Sequence, residues 1–193
     1  LDALLSDWEG RNYFEISQIR VQWARKGADL TDVIAIWISE DPSFPAFDMA
    51  VRVWAGKAKS VADAVRRVDD AWLQLLTEIF LKGGYDEDES LVRARVTYYH
   101  QVGYYAIGVK EDIADRVSLL PLYYKALTGK PAPADLATVA LRRLDKEGGR
   151  RKRRTASAKG AEPSPTEEPA AEPAAPKREA RPRTSEGAKP ASS

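Results

Sequence analysis

The side chains able to do chemistry are few in this 193-residue sequence, and they fall into three groups. The first is a lone histidine, His100, followed at some distance by Glu111 and Asp112. A histidine beside a carboxylate is the usual form of a general base, provided the two lie within hydrogen-bond reach. A single histidine in a tyrosine-rich stretch is more often a packing or hydrogen-bonding residue. The second group is acidic: Asp69-Asp70 and the run Asp86-Glu87-Asp88-Glu89. The latter opens a predicted helix, where carboxylates are favoured by the helix dipole without any chemical role. The third is a set of aromatic residues spread along the chain. Around these groups there is no phosphate loop, no dinucleotide-binding glycine pattern and no nucleophile elbow. Cysteine is absent, which removes thiol catalysis and disulfides. The sequence therefore predicts a protein that is not an enzyme, with no catalytic residue, no metal and no cofactor.

Composition agrees with a soluble, cytoplasmic globular protein: 44% hydrophobic and 31% charged residues. No apolar run reaches the roughly 18 residues of a membrane span, and Asp2, Asp7, Glu9 and Arg11 interrupt any signal-peptide pattern. The net charge of +1 conceals two unlike parts. Residues 1–145 carry 18 basic against 22 acidic residues, and residues 146–193 carry 12 against 7. Leu144 is the last large apolar residue, and seven of the twelve prolines follow it. Such a segment cannot bury enough surface to offset the entropy of ordering it. The sequence thus divides into a helical domain, 1–145, and a disordered basic tail, 146–193. The cluster Arg150, Arg151, Lys152, Arg153 and Arg154 is a candidate for weak, salt-dependent phosphate contact, although most such clusters are solvated charge runs.

The elements that must position these groups are all helical. Apolar residues recur at helical spacing from Leu1 to Trp23, with Gly10 a possible bend and Gly27 a stop. A nearly all-apolar helix follows from Thr31 to Glu40, ended by Asp41-Pro42. Phe44, Phe47, Val51 and Trp54 mark a third, capped by Ser43, with Pro45 in its first turn. Ser60 and Asp63 suggest a capping box for a long helix whose Val61, Val65, Val68, Trp72, Leu75 and Ile79 step by 4 and 3. Gly83-Gly84 stops it. Asp86 to Val109 forms the next, Glu111 to Thr128 another, and 134–144 a short, weak addition. The fold class is all-α, an antiparallel bundle of about six helices.

The helix from Asp86 to Val109 has two apolar faces. Leu91, Tyr98, Val102, Tyr105 and Val109 make one, interrupted by Arg95; Val92, Val96, Tyr99 and Ala106 make the other, with Gly103 between. Two such faces need two covers, and the chain has few further helices to supply the second. A homodimer is the expectation, with Leu91, Arg95, Tyr98, Val102, Gly103 and Tyr105 at its interface. Gly103 suits a close backbone approach, since glycine inside a helix costs about 1 kcal/mol relative to alanine.

Several segments together resemble the ligand-binding domains of TetR-family transcriptional regulators. They are Phe44-Pro45-Ala46-Phe47, Val51-Arg52-Val53-Trp54-Ala55, Val65-Arg66-Arg67-Val68-Asp69 and Leu75-Leu76-Thr77-Glu78-Ile79-Phe80. Gly84-Tyr85 and Arg93-Ala94-Arg95-Val96-Thr97-Tyr98-Tyr99 extend the likeness, and Leu1-Asp2-Ala3-Leu4-Leu5 is similar to the start of the family's connecting helix. The resemblance covers most of residues 1–109; beyond that, to about 130, only helical character agrees. It implies a homodimer in which a small effector in this domain releases operator DNA held by an N-terminal helix-turn-helix, most often as a repressor. That DNA-binding part is not in this sequence and is expected upstream of Leu1. The resemblance also implies an apolar or aromatic effector between facing helices. Trp54, Trp72 and Tyr99 are the preferred contacts, with Phe47 and Trp37 beside them and His100 and Gln101 orienting a polar group. The alternative is a helical homodimeric protein-interaction module carrying a disordered tail.

Overall fold

The computed structural model describes residues 2–27 and 29–159, and within them the protein is an all-α bundle with no strand. Eight helices follow one another: α1 (Asp2–Lys26), α2 (Leu30–Ile38), α3 (Phe44–Ala55), α4 (Lys59–Lys82), α5 (Glu87–Ile107), α6 (Ile113–Ser118), α7 (Leu120–Thr128) and α8 (Leu136–Lys159). The core forms around α4, which packs against α1, α3 and α5, while α2 packs against α8. Val61, Val68, Trp72, Leu75 and Ile79 of the predicted seam are all buried. Helix α2 is buried at every position except Asp32, which explains its nearly unbroken apolar sequence.

Local chemistry differs from expectation at several ends. Asp29, ahead of the expected start at Thr31, caps α2: its carboxylate accepts from the Thr31 amide at 3.1 Å and the Thr31 hydroxyl at 2.8 Å. The capping box of Ser60 and Asp63 does not form, because α4 already starts at Lys59 and Asp63 pairs with Lys59 and Arg66. Gly10 lies inside an uninterrupted α1. The helix expected over 111–128 is two helices, with Pro121 in the first turn of α7 where its missing amide is tolerated. The short piece at 134–144 is instead the start of a 24-residue α8, anchored by the fully buried Leu136 and Ala140. This helix crosses the boundary expected at residue 145, so Arg150 to Arg154 lie on a helical backbone. The Pro/Ala/Glu-rich segment from 160 onward lies outside the described residues.

Helix α7 ends at Gly129, whose φ of 71° belongs to the left-handed region. A Cβ there would come within 3.2 Å of the Arg93 guanidinium, which donates to the Leu127 carbonyl at 2.7 Å. Gly129→Ala is therefore expected to cost about 1–2 kcal/mol, read as a lower urea midpoint at unchanged slope. A shift too small to measure would show that this turn relaxes freely.

Candidate functional site

The buried face of α5 is its polar one. Ser90, Ala94, Thr97, Tyr98 and Gln101 point inward, while Val92, Val96 and Tyr99 are each more than half exposed. Small and polar residues line the inside because the large rings of α2, α3 and α4 already occupy the space opposite them. Trp72 lies 5.6 Å from Trp37 and stacks on Tyr98 at 6.4 Å, and Phe44 meets Tyr105 edge-on at 6.5 Å.

Where these walls meet, an inner cavity of about 20 Å³ remains, room for a water molecule. Asn12 and Glu15 reach it from α1, Glu40 from just beyond α2, Asp48 and Arg52 from α3, and Gln101 and Tyr105 from α5. Arg52 organises the charges on one side. Its guanidinium bonds Asp48 at 2.8 Å, Asp69 at 2.9 and 3.2 Å, and the Tyr98 hydroxyl at 3.1 Å, while that hydroxyl donates to Asp69 at 2.7 Å. Burial opposes the Arg52 charge, but these partners, the Asp69 hydrogen bond foremost, hold it above the ordinary arginine range. Burial, then the Asp69 charge, pushes the Tyr98 hydroxyl up as well. Trp8 donates to Asp48 at 2.9 Å, and Trp72 donates to Asn12 at 2.9 Å.

The other side of the cavity is less balanced. Glu40 accepts from the Tyr105 hydroxyl. Burial pushes Glu40 up to about 10, reinforced by Glu15, Asp48 and Asp41 and opposed by Arg116. Burial likewise raises Glu15 to about 7; Arg143 and Arg11 act downward and Glu147 upward.

A second, outer cavity of about 50 Å³ adjoins the first, and both are lined by Trp37 and Gln101. Its walls are mostly apolar, from Ile34 and Ile38 of α2 and Leu120, Tyr123 and Leu127 of α7. His100, Tyr104, Glu111 and Arg116 complete the lining. Burial, with Arg116, lowers the His100 pKa, so its ring is neutral near pH 7. Glu111 accepts from Tyr104 at 3.0 Å and Asp112 caps α6, so neither makes a hydrogen bond to His100. At the junction Gln101 is 5% exposed, and its Nε2 has no hydrogen-bond partner. A buried amide left unpaired costs about 1–3 kcal/mol, and it marks a place where a ligand's polar atom would be welcome.

Among the residues singled out from the sequence, Trp37, Trp72, His100 and Gln101 line these cavities. Trp54 and Phe47 pack partly buried against the core without lining either cavity, and Tyr99 faces outward. The expected interface set divides. Tyr98 is buried within the chain, Val102 and Tyr105 line the inner cavity, and Leu91 and Arg95 are exposed. Tyr98, Val102 and Tyr105 are thus corrected to the inward face; the outward apolar stripe is Val92, Val96 and Tyr99. Gly103 has nothing within 4 Å of where its Cβ would stand. Arg150 pairs with Glu147 at 3.3 Å, and Arg151, Lys152, Arg153 and Arg154 continue the α8 backbone. The lining residues not anticipated are Asn12, Glu15, Glu40, Asp48, Arg52, Tyr104, Arg116 and Tyr123. Asn12 and Glu15 had a readable signal, lying in helical phase with Trp8 and Ile19. Among the described residues no group of three or more carboxylates or histidines is placed to hold a metal, and no helix is long and apolar enough to cross a membrane.

No protein-family model, curated protein or solved structure matches the chain.

Proposed function

We propose that this chain is the effector-binding and dimerisation body of a TetR-type transcriptional regulator, in which a small molecule entering the bundle alters the hold on operator DNA. The observation that carries the effector site is the pair of adjoining cavities with the unpartnered Gln101 amide at their junction. An apolar pocket with a few convergent polar groups is the usual form of a small-molecule site. Its inner wall includes Asn12 and Glu15 of α1. In this reading α1 is the lever, since a ligand seated there presses directly on the helix that leads to the DNA-binding part. The effector shifts the balance only by binding one helix arrangement better than the other. Operator contact belongs to a helix-turn-helix joined to α1, and repression is the mode adopted here. The basic cluster at 150–154 adds at most non-specific phosphate affinity.

The codons preceding Leu1 in the same reading frame test the regulator part directly. Some fifty residues forming three short helices with a helix-turn-helix pattern support it, and a start codon close to Leu1 removes it.

Dimerisation is assigned to the outward stripe of α5, where Val92, Val96 and Tyr99 repeat at i, i+4 and i+7. Placing glutamates at both Val96 and Tyr99 is expected to weaken the dimer by roughly a hundredfold, about 2.7 kcal/mol. Sedimentation equilibrium on the two proteins measures this. A monomeric parent, or a dimer indifferent to both charges, rules the assignment out.

A further inference from the structure

We propose that the adjoining cavities take a small primary alkylammonium, its charged nitrogen among Glu15, Glu40 and the aromatic rings of the inner cavity and its short apolar body in the outer one. This rests on the effector-site reading and adds the chemical class of the ligand.

The charge inventory of the inner cavity points this way. Its lining holds three carboxylates, Glu15, Glu40 and Asp48, against the single guanidinium of Arg52. Arg52 is already committed to Asp48, Asp69 and Tyr98. Among the described residues no ion pair reaches Glu15 or Glu40, and the hydrogen bond Glu40 receives comes from a neutral phenol, Tyr105. Two enclosed carboxylates without a cationic partner are costly unless protonated or matched by an incoming charge.

The rings add a second, independent attraction. Trp37, Phe44, Trp72 and Tyr105 line the same cavity, and aromatic faces attract cations, quaternary and protonated amines in particular. The third observation is Gln101, nine-tenths buried and without a side-chain hydrogen bond, where the two cavities meet. Its amide oxygen can accept from an ammonium or amidinium N–H, and rotation of the amide exchanges its donor and acceptor ends. Beyond Gln101 the walls change to Ile34, Ile38, Leu120 and Leu127. A charged head therefore meets the inner cavity and a short hydrocarbon body the outer. An anionic ligand would meet Glu15 and Glu40 with no free cation among the described residues lining the inner cavity to offset them.

Binding should exchange a proton for the ligand. Glu40 is faced by Glu15 of α1, Asp41 and Asp48, Tyr105 of α5 and Arg116 of α6, and Glu15 by Arg11, Arg143 and Glu147. With the cavity empty, the raised Glu40 carries a proton near pH 7. A cation beside it favours the carboxylate and expels that proton. Affinity should then rise with pH, by about tenfold per unit between pH 6 and 9 for one proton exchanged.

The test uses the full chain and two probes small enough for these cavities, n-propylammonium and its uncharged analogue 1-propanol. The first keeps its charge from pH 6 to 9, so any pH dependence belongs to the protein. Binding is read by the fluorescence of Trp37 and Trp72 and by calorimetry in two buffers that differ in protonation enthalpy. The expected result is at least about tenfold preference for the cation, with proton release and the stated pH slope. Glu40→Gln should abolish that preference and flatten the slope, and Glu15→Gln should reduce it. Equal binding of the two probes overturns the cation assignment while leaving the effector cavity in place. If neither probe binds, both the cation assignment and the effector-site reading fall.

Discussion

Replacing Trp8 with alanine is expected to lower the unfolding free energy by about 3–5 kcal/mol, the range for a large aromatic removed from a core. Trp8 has no exposed surface, and it is the largest fully buried side chain among the described residues. Two effects act together. The indole leaves a cavity that the packed walls of α1, α3 and α4 cannot close, and Asp48 loses the donor held at 2.9 Å. Asp48 is itself almost wholly enclosed, so that lost bond is not replaced by water. Trp8→Phe separates the effects, keeping most of the volume while removing the donor; it should cost about 1–3 kcal/mol, the penalty for one buried group left unsatisfied. Urea unfolding at fixed protein concentration measures both, because association would otherwise shift the apparent stability. An alanine variant within about 1 kcal/mol of the parent would mean that α1 docks less firmly than its burial indicates.

Arg52→Met is the second substitution with a large expected effect, again about 3–5 kcal/mol, because it strands the buried partners of a charge network. The methionine fills much of the volume but leaves Asp48, with 4% of its side chain exposed, and Asp69 without their shared cation. Here the diagnostic is a double-mutant cycle. Adding Asp69→Asn to Arg52→Met should recover part of the loss, with a coupling of about 0.5–3 kcal/mol. Strict additivity of the two changes would show that the pair contributes nothing as a pair.

How much of this was legible in the sequence depends on the kind of signal. The all-α bundle was, because heptad-like steps such as Val61 to Ile79 have no other reading. Helix ends were less so: the apolar positions Ile113, Val117, Leu120 and Tyr124 keep helical phase straight through the break between α6 and α7, and only Pro121 hints at it. Helix α8 was underestimated because its anchoring residues, Leu136 and Ala140, are few and its remainder is charged; packing against α2 supplies what the sequence pattern lacks. The two faces of α5 were interchanged for a related reason. Both look apolar, and the face with Thr97 and Gln101 looks the less so, yet Trp72 and Trp37 opposite them require small and polar neighbours.

The polar lining of the cavity is harder to read, because charged side chains are mostly found at the surface. Glu15 and Asp48 each sit in the apolar phase of their helices, with Trp8 and Ile19 on α1 and with Phe44 and Val51 on α3. A charged residue in such a phase is a direct sign of an enclosed network. Glu40 gave no such sign, because it lies past the end of α2, where periodicity no longer applies.

The outer cavity is closed on one side by the two shortest pieces of the α6–α7 region, six and nine residues long. Helices of that length have little stability of their own and depend on the neighbours they touch. Such a wall can open as a local unit at a fraction of the cost of global unfolding. In the proposed effector reading, the rate at which a molecule leaves the bundle is governed by the breathing of this wall, and the durability of the whole fold by α4 and its packing. On that reading, residence time and thermal endurance are separable, each alterable by substitutions that leave the other in place.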